Sequence, residues 1–373
     1  MDALMLPLNW QRVRLGDIGK PCMCKRVMKH QTTRYGEIPF YKIGTFGNTA
    51  DAFISKKLFL EYKTKYSFPK KGDILISASG TIGRAVIYDG KPAYFQDSNI
   101  VWIDNDETLV KNDFLFYAYS NVKWNTEHTT ILRLYNDNFR NTLIPLPPLN
   151  EQSAIANILS TLDRYLCALD ALILKKGSVK KTLSFELLSQ RKRLKGFNQA
   201  WQRVRLGDIA NYLTSNLSVE QITQQGKIKV YDVNNFIGYT DTTFISDKPY
   251  ISIVKDGSVG RVRILPPKTN ILSTMGALIA NHRTTTEFLF YLLSNFDFKN
   301  FTSGSIIPHI YFKDYKEKTI FLPPLNEQIA IANILNALDN EITSLKNKKR
   351  QFENIKKALN HDLMSAKIRV LKK

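Results

Sequence analysis

The clearest pattern in the sequence is an apolar repeat of about 3.5 residues in two segments, each of which follows a pair of prolines. Steps of four and three residues from Ile155 to Leu194 meet apolar residues at nine of twelve positions, and the same steps from Ile331 to Val370 meet them at ten of twelve. A repeat sustained over several heptads is typical of a coiled-coil seam. We therefore predict two long helices of about 45 residues, or roughly 70 Å each.

The two segments belong to an internal duplication of the chain. The first helix opens with "LPPLNEQSAIANILSTLD" from Leu146 and the second with "LPPLNEQIAIANILNALD" from Leu322, which match at fifteen of eighteen positions. An upstream anchor, "WQRVRLGDI", begins at Trp10 and again at Trp201. Each half is therefore an anchor, a divergent body, a Pro-Pro junction and a long helix. If the two seams pack together, chain order makes the helices antiparallel and relates the halves by an approximate two-fold axis.

The predicted division is a first body over 1–148, a first helix over 149–195, a second body over 196–324 and a second helix over 325–373. The bodies are predicted to be mostly β with flanking helices, because "GDILISASGTIGRAVIYDG" from Gly72 and "YISIVKDGSVGRVRIL" from Tyr250 are both typical of a β-hairpin. The fold class is therefore α+β. Fourteen residues, "KKLFLEYKTKYSFP" after Ser55, lack a counterpart in the second body, and we interpret them as a surface insertion.

Composition narrows the class of partner. The chain has 53 Lys and Arg against 33 Asp and Glu, a formal net charge of +20, which favours a polyanion such as nucleic acid. The three cysteines are too few and too scattered for a disulfide framework, which favours a reducing, cytoplasmic location. No run of 18 apolar residues occurs, so we expect no membrane span.

The two variable bodies, each opened by W-x-x-V-x-L-G-D-I and closed by an "LPPLNEQ" junction, resemble the specificity subunit of type I restriction–modification systems. The resemblance extends from Trp10 to about Val370. It implies two target recognition domains, each reading one part of a bipartite double-stranded DNA sequence, and an antiparallel helical spacer that binds two modification (methyltransferase) subunits. Two ATP-dependent restriction subunits complete the complex. The specificity subunit is not catalytic, so S-adenosylmethionine, ATP and Mg²⁺ are expected on the partners, and no metal site is expected on this chain.

Two glycine-containing turns are the leading candidates for DNA contact. Their glycines permit close backbone approach, and Arg84 and Arg261 each offer a guanidinium suited to phosphate or to a guanine edge. An ordinary hairpin with a surface arginine is the alternative, but recurrence in both halves of a basic chain favours DNA. The full candidate set for DNA contact is Lys42, Thr45, Ser79, Thr81, Arg84, Arg133, Tyr231, Asn234, Asn235, Lys255, Ser258, Arg261 and His309.

The paired junctions are the candidates for the spacer and for partner docking. Their prolines stop the preceding strand, and Asn150 or Asn326 can cap the first turn of the helix. The candidate residues are Pro147, Pro148, Asn150, Glu151, Gln152, Pro323, Pro324, Asn326, Glu327 and Gln328. Four lysines interrupt the seams, and we expect them to extend towards solvent or to fix the helix register: Lys176, Lys180, Lys349 and Lys356.

Two other classes of function are weighed against this one. Asp51, Glu61 and Lys63 form a loose nuclease-like pattern, although they lie in or beside the insertion that the second half lacks. A coiled-coil bridge whose bodies bind proteins is the second alternative. The basic run over 175–195 is either a solvated helix face or a surface for DNA phosphates.

Overall fold

The computed structural model describes residues 7, 9–128 and 131–370. Within these ranges the chain divides into two compact units, one formed by 1–169 with 348–373 and the other by 170–347. The division cuts both long helices. Each unit therefore contains the first part of one long helix and the last part of the other.

Unit 1 is built from short strands with helices packed on both faces of its larger sheet. Its strands are β1 (Gln11–Arg14), β2 (Gly19–Met23), β3 (Ile38–Tyr41), β4 (Phe53–Ile54), β5 (Ile74–Ser77), β6 (Ala85–Ile87), β7 (Tyr94–Phe95), β8 (Ile100–Asn105), β9 (Glu127–His128), β10 (Leu132–Arg133) and β11 (Leu143–Leu146). Its helices are α1 (Leu15–Ile18), α2 (Lys56–Lys65), α3 (Asn112–Tyr119), α4 (Asn136–Asn141) and the first part of α5 (Leu149–Leu188).

Unit 2 repeats this arrangement in the second half of the chain. Its strands are β12 (Gln202–Arg205), β13 (Ala210–Thr214), β14 (Ile228–Tyr231), β15 (Phe236–Thr240), β16 (Tyr250–Val254), β17 (Val262–Leu265), β18 (Asn270–Ile271), β19 (Met275–Ala280), β20 (Thr302–Ser303), β21 (His309–Ile310) and β22 (Thr319–Leu322). Its helices are α6 (Thr286–Ser294), α7 (Phe312–Tyr315) and the first part of α8 (Leu325–Met364).

The two units share one strand topology. The larger sheet has the order β2-β8-β5-β6 in unit 1 and β13-β19-β16-β17 in unit 2, and a three-stranded sheet follows as β4-β3-β7 and β15-β14-β18. The hairpins predicted at Gly72 and Tyr250 are antiparallel pairs, with Ile74 opposite Ile87 and Tyr250 opposite Leu265. The predicted α+β class, with two homologous β-rich bodies, is confirmed.

The repeated sequences at the two ends of each body pair with one another. The anchor strand β1 runs antiparallel to β11, with Gln11 opposite Leu146, and β12 pairs in the same way with β22, with Gln202 opposite Leu322. The prolines that follow stop each of these strands, and the long helices begin at once. The matching stretches of the sequence are therefore the parts that close each body and start its helix.

The segment missing from the second body is not a plain surface loop. It forms α2, whose first turn is capped by the Ser55 hydroxyl accepting from the Leu58 amide at 3.2 Å. Phe59 is buried and meets Phe68 edge to face at 5.6 Å, and Phe68 in turn stacks on Tyr94. The predicted surface insertion is mostly exposed, but the prediction missed this aromatic packing, through which Phe59 joins the core of its unit.

The apolar positions of both seams are buried or half-buried, as the apolar repeat predicts. In unit 1, Ile155 and Leu159 of α5 pack with Leu363 of α8 against α3 and the larger sheet. In unit 2, Ile331 and Leu335 of α8 pack with Leu187 of α5 against α6. In each unit, residues near the start of one helix pack with residues near the end of the other. The helices are therefore antiparallel within each unit.

The helices end earlier than the predicted limits of 195 and 373. α5 ends at Leu188 and α8 at Met364, and each is followed by a residue with a positive φ, Gln190 at 62° and Ala366 at 56°. A left-handed residue directs the chain away from the helix axis. α5 continues through Gly177 without interruption. No helix within the described ranges has both the length and the apolar character needed to cross a membrane.

Candidate nucleic-acid interface

The turn between β5 and β6 of unit 1 is compact and held from inside. The Gly83 amide donates to the Ser77 carbonyl at 2.9 Å, and the Ser77 hydroxyl accepts from the Arg84 amide at 2.9 Å and donates to the Thr81 carbonyl. Gly83 has a φ of 80°, and a Cβ there would lie 2.2 Å from the indole nitrogen of Trp124. Only glycine fits this position, which fixes the path of the turn.

Ser79 supports the turn from inside and does not present a free hydroxyl. It is 6% exposed, and its Oγ donates to Asn99 Oδ1 at 2.7 Å. The structure gives this hydroxyl an internal partner and little exposure to solvent, and the contact of Ser79 with DNA stays a prediction. Thr81, two residues further on, is exposed.

Backbone contacts join this turn to the β9–β10 pair. The Gly80 amide donates to the Leu132 carbonyl at 3.1 Å, and the Leu134 amide donates to the Ala78 carbonyl at 2.9 Å. Ser79 and Arg133 form an isolated bridge between the two segments. Arg133, which is distant in sequence, is thereby brought beside the turn.

Arg133 contributes to a recess of about 520 Å³ in unit 1. The polar residues that line it include Arg26, Lys29, Lys42, Gln96, Asn99 and Arg133. Two of its cations are paired, Arg26 with Asp97 at 2.8 Å and Lys42 with Asp51 at 2.9 Å. Cations beside amide side chains suit a ligand that carries both phosphates and base edges. Four of these residues were not predicted from the sequence, because only the strand pairing brings them together: Arg26, Lys29, Gln96 and Asn99.

Arg84 joins the turn between β5 and β6 to the loop that contains Lys42, Thr45 and Phe46. Its guanidinium donates to the Phe46 carbonyl at 2.9 Å, although the side chain as a whole is exposed. Thr45 caps the same loop, its hydroxyl accepting from the Lys42 amide at 3.1 Å. Arg84 therefore helps to hold the loop as well as facing solvent.

Unit 2 has the same turn with different side chains. The Gly260 amide donates to the Val254 carbonyl, the Gly257 amide donates to the Pro308 carbonyl at 2.8 Å, and both glycines have positive φ. Asp256 and His309 occupy the places of Ser79 and Arg133, and the Asp256 carboxylate lies 2.7 Å from His309 Nδ1. The two turns therefore share a backbone framework and differ in the groups they offer.

Arg263 supports the second loop, and the sequence did not single it out. Its guanidinium donates to the carbonyls of Asn234 at 2.7 Å and Asp232 at 3.0 Å, and it lies over the Tyr231 ring at 5.2 Å. Asn234 and Asn235 are exposed at the end of this loop. Tyr231 is half-buried beneath the arginine, so it supports the loop.

The remaining candidates of unit 2 flank the turn. Ser258 and Arg261 are exposed, and Lys255 is half-buried. Among the residues that the structure describes, no hydrogen bond or ion pair engages the guanidinium of Arg261, in contrast to Arg84. Arg261 is therefore available to an external anion.

The nuclease-like trio of the first body does not converge on one site. Asp51 pairs with Lys42 at 2.9 Å, Glu61 pairs with Lys65 at 3.0 Å on α2, and Lys63 lies over the rings of Phe59 and Phe68. Within the described ranges no group of three or more His, Cys, Asp or Glu side chains is placed to hold a metal ion.

The glutamates of the two junctions are buried in matching clusters. Glu151 is 2% exposed and accepts from the Trp10 indole at 3.0 Å and from two guanidinium nitrogens of Arg369 at 2.7 and 2.9 Å. Glu327 is fully buried and accepts from Trp201 at 3.0 Å and from Arg193 at 2.7 and 3.2 Å. The hydrogen bonds that Arg369 donates to the Glu151 carboxylate raise the pKa of its guanidinium.

The neighbouring glutamines are buried as well. Gln152 accepts from the Lys111 amide at 2.8 Å and donates to the Pro147 carbonyl at 2.9 Å, and Gln328 donates to the Pro323 carbonyl at 2.8 Å. Pro147 and Pro323 are buried, and Pro148 and Pro324 are half-buried. Four of the predicted docking residues, the two glutamates and the two glutamines, therefore join the helices to the bodies and offer no surface to a partner.

The two asparagines of the junctions are exposed. Each lies second in its helix, and its side-chain oxygen accepts from the next amide at 2.9 Å, Glu151 in α5 and Glu327 in α8. Asn150 and Asn326 therefore bond within the first turn, one residue inside the helix start that the sequence predicted them to cap.

Seam lysines pair with carboxylates of the other helix and fix its register. In unit 1, Lys356 pairs with Asp163, which also accepts from the Tyr117 hydroxyl at 2.8 Å. In unit 2, Lys180 pairs with Asp339 at 2.5 Å, and Asp339 accepts from Tyr291 at 2.9 Å.

The other two seam lysines also form ion pairs with carboxylates. Lys176 pairs with Glu341 at 2.8 Å, while Lys349 pairs within its own helix with Glu353 at 3.5 Å.

The tyrosines that donate to Asp163 and Asp339 are neutral. Burial, and then the hydrogen bond to each aspartate, raises the pKa values of Tyr117 and Tyr291, so both remain neutral donors.

The basic run over 175–195 is partly neutralised. Lys176, Lys180 and Arg193 have the carboxylate partners given above, and Arg191 lies over the Phe185 ring at 4.6 Å. Lys175, Lys181 and Lys195 are exposed. The unpaired part of the run is thus smaller than the sequence implies.

The duplicated fold, the two turns and the buried junctions agree with a defined family. The sequence model of the type I restriction modification DNA specificity domain matches residues 7–176 and again residues 198–354. The chain therefore belongs to this family and carries its domain twice. It is a specificity subunit of a type I restriction–modification system, a class of subunit that is not catalytic.

Proteins of similar sequence include other type I specificity subunits. The specificity subunit of the type I restriction enzyme MjaVIII of Methanocaldococcus jannaschii is 26% identical to this chain. The alignment covers 99% of this chain and 95% of that protein. A putative type I restriction enzyme specificity subunit of Haemophilus influenzae is 64% identical over 148 residues. That match spans 39% of this chain and 38% of the H. influenzae protein.

Solved structures share the fold at low identity. A crystal structure of the S subunit of a type I restriction–modification system from M. genitalium aligns with a TM-score of 0.64 at 20% identity, over 97% of this chain and 98% of that one. A chain from a study of complex assembly and conformational transition in the type I R-M system aligns with a TM-score of 0.57 at 16% identity, over 96% and 98%. The architecture is therefore common to specificity subunits of distant sequence.

Proposed function

We propose that this chain recognises a bipartite double-stranded DNA target and that each β-rich body reads one half of it. The observation that carries the proposal is the repeated turn, whose backbone contacts recur in both units while its side chains differ. Ser79 and Arg133 of unit 1 stand where unit 2 has Asp256 and His309. A shared framework with different side chains suits two half-sites of different sequence. The net charge of +20 supplies the attraction to phosphate that is independent of sequence.

In this proposal the two long helices determine the distance between the half-sites. Each helix is continuous over 40 residues and contributes to both units. Buried ion pairs at Glu151 and Glu327 lock the helices to the bodies. A change in helix length is therefore transmitted to the bodies and is not absorbed at a loose joint.

The exposed faces of the same helices are the proposed docking surfaces for two modification subunits. Apolar side chains are exposed at equivalent positions of the two helices, Leu149 with Leu325 and Val179 with Ile355. The equivalence supports two copies of one partner. Two restriction subunits would complete the complex, and S-adenosylmethionine, ATP and Mg²⁺ are assigned to the partners.

The test is an exchange of one body. Residues 10–145 are replaced by the matching segment of a relative that retains Trp10 and Tyr117, because these side chains hold Glu151 and Asp163 of α5. Methylation-sensitive long-read sequencing of DNA from a host with the full system then returns both half-sites and the spacer.

One half-site is expected to change while the other half-site and the spacer remain. The matched control replaces 201–321 and is expected to change the opposite half-site. A change of both half-sites after either exchange contradicts the modular reading of the target.

A further inference from the structure

An exposed isoleucine lies at the same place in both units, beside the proposed DNA-contacting turn. Ile131 of unit 1 is 54% exposed and Ile307 of unit 2 is 55% exposed, and the preceding Ile306 is 92% exposed. A single exposed apolar residue is ordinary on a protein surface. Recurrence at one position in two otherwise divergent bodies requires a common reason.

Backbone contacts establish that the two positions are equivalent. Ile131 is followed by Leu132, whose carbonyl accepts from Gly80, and Ile307 is followed by Pro308, whose carbonyl accepts from Gly257. The next residue in each case, Arg133 or His309, forms the bridge to the turn. Each isoleucine therefore projects from a two-stranded ribbon that is joined to the glycine turn of its own unit.

In unit 2 the ribbon has a tight tip between β20 and β21. Gly304 has a φ of 88°, and a Cβ there would lie 2.3 Å from the Ile307 carbonyl oxygen. Ser303, Gly304 and Ser305 are exposed and small. The tip is therefore narrow, and it leaves Ile306 and Ile307 exposed to solvent.

The surroundings indicate what covers the isoleucines. Lys255 and Arg261 flank the unit 2 ribbon, and Lys313 lies over the ring of Tyr311 just after it. Arg133 belongs to the ribbon of unit 1, and Arg84 lies on the turn that this ribbon contacts. Apolar side chains near cations match the major groove, where thymine methyl groups lie between two rows of phosphates. The major groove is also wide enough for a two-stranded ribbon.

We propose that Ile131 and Ile307, with Ile306, contact thymine methyl groups in the major groove, one half-site for each unit. This inference rests on the proposed function and adds a residue that selects A·T pairs. It predicts that each half-site contains a thymine whose methyl group contributes to affinity. Arg133 and His309 then position the ribbon beside the turn.

The test uses the full chain assembled with its modification subunits and synthetic duplexes that carry the mapped target. Thymines are replaced one at a time by deoxyuridine, which lacks only the 5-methyl group, and affinity is measured by fluorescence anisotropy. One replacement in each half-site is expected to weaken binding on the order of fourfold. Ile307→Ala is expected to weaken binding to the unmodified target about five- to tenfold.

Loss of the uridine effect in the variants gives the decisive comparison. Ile307→Ala should abolish the effect in the half-site of unit 2 and preserve it in that of unit 1, and Ile131→Ala should do the reverse. Leu109→Ala and Val219→Ala remove other exposed apolar side chains of units 1 and 2 and serve as matched controls with unchanged binding.

Two results overturn the inference while the proposed function stands. One is a target that binds normally with uridine at every thymine. The other is an Ile307→Ala variant that fails to assemble with the modification subunits, which would make the ribbon a protein contact. Failure of the wild-type complex to select any bipartite site would instead contradict the proposed function itself.

Discussion

At the scale of single residues, Arg84 and Arg261 occupy equivalent positions but are held differently. Arg84 donates to the Phe46 carbonyl at 2.9 Å and so supports its own loop. The guanidinium of Arg261 has no such partner among the described residues. The same substitution therefore has different consequences in the two units.

Arg261→Ala is expected to weaken DNA binding by about 1–3 kcal/mol if its contact is to a base edge, with stability unchanged within about 0.5 kcal/mol. Arg84→Ala is expected to weaken binding as well and to alter the loop that precedes it. Anisotropy with the mapped target and urea unfolding measure the two effects. Arg205→Ala, which removes an exposed arginine paired with Glu317, is the matched control. If Arg84→Ala and Arg261→Ala both kept full affinity for DNA, the two turns would be ordinary hairpins that do not contact DNA.

At the scale of elements, each long helix is attached to the body it leaves through a buried glutamate near its start. Glu327 accepts from Trp201 of the anchor and from Arg193 beyond the end of α5. One carboxylate therefore joins the anchor, the start of α8 and the segment after α5. Without it, the Trp201 indole would lose its acceptor inside the unit, and the Arg193 guanidinium would keep only the Gln199 carbonyl.

Glu327→Ala is expected to destabilise unit 2 by about 3–5 kcal/mol, because removing one member of a buried ion pair leaves the other uncompensated. Glu327→Gln retains an acceptor for the Trp201 indole and should cost less. The midpoint of urea unfolding, followed by tryptophan fluorescence, reports the change. Glu341→Ala in the same helix removes an exposed partner of Lys176 and should cost no more than about 1 kcal/mol. If Glu327→Ala and Glu341→Ala lowered the free energy of unfolding equally, burial of the junction carboxylate would contribute little to stability.

At the scale of the whole molecule, the two helices share one register. Lys356 with Asp163 and Lys180 with Asp339 are equivalent pairs, each member being 176 residues from its counterpart. An insertion in one helix alone shifts one set of pairs against the other. Paired insertions at equivalent positions preserve both sets.

Four residues are therefore inserted after Ala171 and four after Asn347, at the boundary of the two units. Four residues add about 6 Å of rise and keep the seam nearly in phase. Methylation-site mapping should return both original half-sites with a spacer longer by about one or two base pairs at roughly 3.4 Å each. Paired insertions of two residues rotate the seam by roughly 200° and should abolish assembly. An unchanged spacer in a fully active four-residue variant would show that the helices do not determine the distance.

The sequence by itself determined the long helices, their seams, the duplicated bodies and the family. Each of these depends on local spacing or on direct repetition, and a seam such as that from Ile155 to Leu194 is visible without any knowledge of contacts. The hairpins at Gly72 and Tyr250 were predictable for the same reason, since strand and turn residues alternate over short distances.

Only the tertiary structure decided which of the singled-out residues face solvent. Ser79 is buried by Asn99, and the Glu151 of the docking motif is buried by Arg369, which is 218 residues away. The insertion after Ser55 is a helix whose Phe59 packs against Phe68, which in turn stacks on Tyr94. A residue's type and spacing restrict what it can contact, but its burial depends on partners brought near by strand pairing and helix packing, and these long-range contacts leave no periodic trace in the chain.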